Sequence, residues 1–343
     1  ETDYEPVSVE RPVHRLPEQD MAPALGIING AKRPYLYIGG GVISSEAGAE
    51  VAQLAEKLGA PVASSAMGLG AIPSSHPNYI GLIGMHGHKG VARTLGKCDA
   101  LIAVGARFSD RVAGNRTGFM KNAKIVHIDI DAAEIDKNVT SHAHITGDVK
   151  TVLKKILPAI RPSTEKDWLS RVRDEAARYP LEDSGYALCP RAILRAVNKL
   201  KTPDTIIATD VGQHQMFAAQ TIRFDKPRTW LSSGGLGTMG YGLGAAIGGA
   251  LGAEKLMFLT DIDGIRADEK RPETLIKYIT VPEIRAMIGD GRISGGMIPK
   301  VNSCIYAIEK GVSNVLIING TIPHSILLEL FTDSGIGTMV LPE

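Results

Sequence analysis

Tyr35-Leu36-Tyr37-Ile38 is a short apolar run ending in Gly39-Gly40-Gly41, and Ala47–Leu58 follows with helical periodicity and stops at Gly59. Pro61–Ser64 then starts another strand, so the stretch reads strand, glycine turn, helix, strand. Outward from it, Ala100–Val104 and Lys124–Ile128 repeat the apolar strand, and Val149–Ile160 gives a helix before Pro162. Strands that are apolar throughout, rather than alternating, predict a parallel sheet covered by helices on both faces. The fold class expected is α/β, with three-layer α/β/α parallel sheets and a Rossmann-like domain over residues 20–160.

Residues 1–19 read as an arm, because Pro6, Pro12, Pro17 and Pro23 break regular structure until a short helix at Met21–Asn29. Residues 161–189 read as a linker, with a charged helical stretch at Arg161–Tyr179 and a loop at Pro180–Cys189. The strand–helix rhythm then resumes as a composite α/β domain. Helices are expected at Arg191–Leu200, from about Gln213, and at Gly240–Leu251, Glu283–Ile288, Lys300–Lys310 and Pro323–Phe331. Strands are expected at Thr205–Ala208, near Trp230–Ser232, and at Leu256–Thr260, Val315–Ile318 and Thr338–Leu341.

The 343 residues suit two to three domains, and 44% apolar with 22% charged residues suits a globular core. A net charge of +1 and few aromatics argue against nucleic acid and against an acidic membrane surface. Cys98, Cys189 and Cys304 are too far apart for a zinc pair or a disulfide framework. No apolar run is long enough to span a bilayer, and Glu1–Arg15 lacks the apolar core of a signal peptide, so a reducing cytoplasm is the expected compartment.

In an open α/β sheet, phosphate-bearing cofactors sit at the carboxyl ends of the strands, where glycine lets backbone approach closely. The chain carries a series of such ends: Gly39-Gly40-Gly41, Gly84-Met85-His86-Gly87, Gly105 to Val112, His127 to Asp131, and Gly147-Asp148-Val149 ahead of a helix. Each alone is only a turn, and Arg107 and Arg111 alone fit a surface ion pair with Asp110. In order, they resemble the central, FAD-binding domain of the acetolactate synthase large subunit, nearly continuously from Val9 to Ile160. That resemblance implies FAD contacts at Gly39, Gly40, Gly41, Met67, Gly84, Met85, His86, Gly105, Arg107, Asp110, Arg111, Val112, Glu134, Ile135, Asn138, Gly147, Asp148 and Val149. Arg107 and Arg111 suit the pyrophosphate, because guanidinium binds phosphate in a bidentate manner.

Asp210 to Met216 and Gly235 to Gly242 are similar to the domain of the same family that grips thiamine diphosphate. Read alone they are a helix cap and a glycine turn. The resemblance implies cofactor contacts at Gly212, Gln213, His214, Gly237 and Met239, with magnesium beside them. The family's Gly-Asp-Gly and Asn metal motif is replaced here by Thr260-Asp261-Ile262-Asp263-Gly264, and its domain bearing the activating glutamate is not matched. The implied activity is condensation of two 2-oxo acids toward branched-chain amino acids, with this chain alone expected to be inactive. A homo-oligomer and a regulatory subunit are the partners the resemblance implies.

From about Ala250 the resemblance changes. Thr260 to Ile265, Ile293 to Lys300 and Gly335 to Met339 resemble acetylglutamate kinase of arginine biosynthesis. This implies ATP contacts at Thr260, Asp261, Asp263, Gly295 and Gly296, with Lys300 as the catalytic cation of phosphoryl transfer. Lys300 alone reads as a solvated helix residue. The expected organisation is an arm (1–19), an FAD domain (20–160), a linker (161–189), a partial thiamine-diphosphate domain (190–250) and a partial kinase domain (251–343). The chain thus looks chimeric. A transferase, an ATP-binding chain and a non-catalytic flavin module are the competing readings.

Overall fold

The computed structural model describes residues 16, 18–114, 118–181, 189–250, 255–260, 262–268, 271–293, 297–309, 312–323, 325, 328–329 and 335–343. The arm, apart from its last residues, and residues 251–254 lie outside the described residues, as does most of the loop 180–189 and of the helix expected over 323–331. Two compact units are present, residues 1–180 and 181–343.

In the first unit the order is α1 (Ala22–Gly30), β1 (Pro34–Ile38), α2 (Gly40–Ser44), α3 (Gly48–Leu58), β2 (Val62–Ser64), β3 (Tyr79–Leu82), α4 (Lys89–Leu95), β4 (Ala100–Val104), α5 (Asp110–Ala113), β5 (Lys124–Asp129), β6 (Ala143–Thr146), α6 (Val149–Ile156) and α7 (Trp168–Ala177). The six strands form one parallel sheet in the order β3-β2-β1-β4-β5-β6. All of β1 is buried, with Leu36 and Ile38 in one core cluster and Tyr35 and Tyr37 in another. Alternate side chains leave opposite faces of a strand, so a continuous apolar run means that both faces are packed. The buried tyrosine hydroxyls are satisfied: Tyr37 donates to the Arg107 carbonyl at 3.0 Å, and Tyr35 lies 3.3 Å from Thr94 Oγ1. Gly59, at φ +55°, ends α3 in the left-handed conformation that glycine adopts without strain.

Five short elements of the first unit, α2, β3, α4, α5 and β6, were not expected from the pattern. The linker expectation is also corrected over residues 161–180. Trp168 and Val172 of α7 are buried in the first unit's core, and the Trp168 indole N–H donates to the Pro34 carbonyl at 2.7 Å. An amphipathic helix whose aromatic residue finds a buried acceptor docks rather than bridges.

The second unit contains α8 (Pro190–Leu200), β7 (Ile207–Thr209), α9 (Gln213–Thr221), β8 (Trp230–Ser232), α10 (Tyr241–Ala250), β9 (Lys255–Thr260), β10 (Tyr278–Thr280), α11 (Val281–Gly289), α12 (Met297–Glu309), β11 (Asn314–Asn319) and β12 (Thr338–Leu341). Among the described residues, strands β7 and β8 pair only with each other, in parallel, and a separate sheet runs β10-β12-β11-β9. That sheet is mixed, which corrects the expectation of parallel sheets throughout: β11 and β12 are antiparallel, with Val315 opposite Val340. The chain is turned back before β12 by Glu329, whose carboxylate accepts from the Ile336 and Gly337 N–H groups at 2.6 and 2.9 Å, and by Lys277, whose ammonium donates to the Gly335 carbonyl. Among the described residues no helix is long and apolar enough to cross a membrane.

Candidate functional site

All six strands of the first unit point the same way, so their carboxyl ends share one edge. The strand order reverses between β1 and β4, and Gly39-Gly40-Gly41 meets Gly105 there. Gly41 N–H donates to the Gly105 carbonyl at 2.9 Å, and Gly39 N–H to the Val104 carbonyl at 3.1 Å. A Cβ on Gly39 would stand 2.3 Å from the Gly105 oxygen, and one on Gly41 would stand 2.7 Å from the Gly105 Cα. Gly105 itself has φ +54°. These glycines let two strand ends touch backbone to backbone. Gly40, beside them, has Met67 as its neighbour, and Met67 is 40% exposed.

The remaining expected residues line the same edge. Gly84, at φ +106°, and Met85 approach α5: Met85 N–H donates to the Arg111 carbonyl at 2.6 Å. Met85, His86, Arg107, Asp110 and Arg111 are exposed or half-exposed there, with Val112 half-buried. After β5, Glu134 pairs with Lys137 at 2.6 Å, and Ile135 and Asn138 are half-buried. After β6, Gly147 leads to Asp148, whose carboxylate caps α6 by accepting from Thr151 N–H at 2.9 Å, and Val149 is buried. His127, which the sequence places at a strand end without a role, lies behind this edge. It is wholly buried, with Nε2 3.1 Å from the Ala106 carbonyl and the Phe108 ring centred 5.0 Å away. Burial holds its pKa below the ordinary imidazole value, against the opposing pull of Asp129. The ring is therefore neutral and braces the turn that follows Gly105.

In the second unit Gly212 is the N-cap of α9, and Gln213 and His214 open the helix, exposed to solvent. Gly237 and Gly240 have φ +67° and +88° in the turn ahead of α10, and Met239 between them is 79% exposed. Asp210, which sequence reasoning quoted without a role, joins the two segments. Its carboxylate accepts from Val211 N–H at 2.8 Å and from Gly240 N–H at 3.0 Å. These donors, Val211 first, hold its carboxyl below the usual carboxylate range.

A third cluster lies where β9 and β11 end side by side, with Thr260 opposite Asn319. Lys300 sits in the first turn of α12, which begins at Met297 rather than at Lys300, and its Nζ donates to Thr260 Oγ1 at 2.7 Å. Asp263 is held at both oxygens: Asn319 Nδ2 donates to one at 2.8 Å and the Arg266 guanidinium to the other at 2.8 Å. Asn319 first, then Arg266, depresses its pKa. Asn319 and Arg266 were missed, although a polar residue ending an apolar strand is the signal that marked the other strand ends. Asp261, Gly295 and Gly296 lie outside the described residues. Cys98 and Cys304 are buried with thiols pushed up to about 12, so neither is a nucleophile.

Residues 21–156 match the family of the thiamine pyrophosphate enzyme central domain, and residues 210–264 that of the thiamine pyrophosphate enzyme C-terminal, TPP-binding domain. Residues 243–319 match the amino acid kinase family, overlapping the second of these. The chain is 39% identical over 305 residues to the acetolactate synthase large subunit of Corynebacterium glutamicum, covering 86% of this chain and 48% of that protein. It is 43% identical over 236 residues to the acetolactate synthase isozyme 1 large subunit of Escherichia coli K12, covering 68% and 42%. The chain thus spans about half the length of the curated relatives it matches. An alignment over 86% of the chain runs past residue 250, into the segment the kinase family also matches. The two likenesses therefore overlap rather than abut at one point. By sequence, residues 21–156 and 210–264 are similar to thiamine pyrophosphate enzyme domains, and most of the chain is similar to part of the acetolactate synthase large subunit.

Proposed function

We propose that the chain is the part of an acetolactate-synthase-like enzyme that holds FAD in its first unit and one side of thiamine diphosphate in its second. The observation that carries the reading is the convergence of every described strand-end motif of the first unit on one edge, centred on the Gly39–Gly41 and Gly105 contact. Dinucleotides bind at that edge of parallel sheets, at the point where strand order reverses. Arg107 and Arg111, on the loop and short helix after β4, suit the pyrophosphate. Calorimetric titration of the chain with FAD tests this. Wild type is expected to bind, and the double change Arg107→Ala, Arg111→Ala to weaken binding at least tenfold; a folded wild type without affinity for FAD refutes the reading.

Thiamine diphosphate, when bound, supplies stabilisation of a carbanion in the joining of two 2-oxo acids. This chain's share is to receive the diphosphate at the amino end of α9 through Gly212, Gln213 and His214, where helix N–H groups and dipole favour an anion. Gly237 and Met239 lie on the turn that Asp210 ties to the same strand end. Magnesium does not fit the described residues as they stand, because both oxygens of Asp263 are already engaged by Asn319 and Arg266.

A second reading is favoured by the Lys300–Thr260 contact and the family match over residues 243–319. In that reading the edge formed by β9 and β11 takes the phosphates of ATP, and the chain is a chimera with an acetylglutamate-kinase-like tail. Weak ATP binding abolished by Lys300→Ala, without turnover of acetylglutamate, is its expected signature.

A further inference from the structure

Asp210 occupies an unusual position between two segments that are 30 residues apart in sequence. It follows β7 directly and comes just before Gly212, the N-cap of α9. Its carboxylate takes the Val211 N–H at 2.8 Å on its own side. Across the gap it takes the Gly240 N–H, 3.0 Å from both oxygens. Gly240 and Gly242 are the residues on which α10 (Tyr241–Ala250) begins. One carboxylate thus caps α10 and at the same time fixes the loop that opens α9.

The geometry around it is tight in a way that only these residue types permit. A Cβ on Gly242 would stand 2.6 Å from the Asp210 nitrogen and 2.9 Å from its Cα, so α10 can approach the end of β7 only through glycine. Gly240 has open space where its Cβ would be but a φ of +88°, so its glycine serves the backbone turn that aims its N–H at Asp210. From the other side, Ser233 shapes the same turn: its carbonyl accepts from Gly237 N–H and its hydroxyl from Thr238 N–H, both at 3.0 Å. Behind the strand ends, Thr209 Oγ1 lies 2.8 Å from Ser232 Oγ, which also accepts from Gln215 Nε2 at 2.6 Å. The ends of β7 and β8 are thus bound to each other and to α9.

From this arrangement we infer that Asp210 is a positioning residue. It clamps the Gly237–Gly242 turn against the start of α9, so that the two half-sites for thiamine diphosphate, Gly212 to His214 and Gly237 with Met239, are held in fixed register before the cofactor arrives. The inference rests on the thiamine reading above and adds to it a group that need not touch the cofactor. A carboxylate so close to a diphosphate site would repel the ligand if its charge were unspent. Here that charge faces two backbone N–H groups, of Val211 and Gly240, and the positive end of α10, which leaves the N–H groups of α9 for the anion.

The test uses the full chain with thiamine diphosphate and magnesium, read by calorimetry and by the induced circular dichroism of the bound cofactor. Amide exchange of residues 236–243 is followed without cofactor. Wild type is expected to bind and to show slow exchange at Gly240. Asp210→Ala should speed that amide and weaken the cofactor at least tenfold. Asp210→Asn, which keeps one acceptor oxygen, should fall between, and Gly242→Ala should reproduce the alanine effect from the opposite side of the contact. Partial rescue by asparagine and a changed dichroism band at saturating cofactor separate positioning from general destabilisation. Affinity of Asp210→Ala within twofold of wild type, or unchanged exchange at Gly240, overturns the inference. A wild type that takes up no thiamine diphosphate overturns it too, and the exchange result then shows whether the clamp or the thiamine reading has failed.

Discussion

His127 is wholly buried, one ring nitrogen is bound to the Ala106 carbonyl, and Nδ1 has no hydrogen-bond partner among the described atoms. Its folded pKa lies below the ordinary value of about 6.5, and burial is the largest cause. Between the two values the unfolded chain binds the proton and the folded chain does not. Stability is therefore full above the unfolded pKa and is lost as pH falls through that window toward the folded one. The urea midpoint of the first unit should drop as pH goes from about 8 to about 5. His127→Gln, which keeps a donor for Ala106 but does not titrate, should flatten that dependence. An equal slope in both proteins would move the cause elsewhere. At this scale the sequence was legible where a glycine or an arginine stood at a strand end. It was opaque for His127, Asp210 and Asn319, whose roles depend on partners 21, 30 and 56 residues away.

Among the elements, β1, β4, β5, β8, β11 and β12 were readable to within a residue or two, because buried strands carry their apolar pattern with them. The edge strands β3 and β6 were not: Gly81 interrupts the one, and exposed His144 and half-buried Thr146 dilute the other. Helix α7 was readable as a helix but not as part of the core, since only Trp168 and Val172 are buried. Trp168→Ala should cost roughly 3–5 kcal/mol of the first unit's stability, measured by urea unfolding followed at residues other than tryptophan. Helix α11 begins with a reciprocal cap in which Thr280 and Glu283 satisfy each other's backbone N–H groups. Thr280→Ala should lower stability by about 1 kcal/mol, and a shift in the second unit's midpoint would report it. No shift would mean that α11 is held by packing through Val281, Ile284 and Met287 alone.

On the scale of the molecule, two compact units meet in sequence at residue 180. A fragment ending at residue 180 should unfold cooperatively, whereas one ending at residue 160 loses Trp168 and Val172 and should melt broadly or at lower temperature. The chain as it stands is expected to form no acetolactate from pyruvate with thiamine diphosphate and magnesium, because Asp263 is committed to Asn319 and Arg266. Product that disappears on changing Gln213 or His214 would refute this. The meeting of Gly39, Gly41 and Gly105 bears on engineering. Their spacing is fixed by main-chain atoms in contact, not by how well side chains fill the space behind them. A designer can therefore recut the aliphatic interior beneath β1 and β4, for heat tolerance or for expression, provided that Tyr37 and His127, whose side chains hold the Arg107 and Ala106 carbonyls of the rim, are kept. The converse holds as well: a library that randomises these three glycines should return almost nothing but glycine, even under selection for folding alone with no cofactor in the medium.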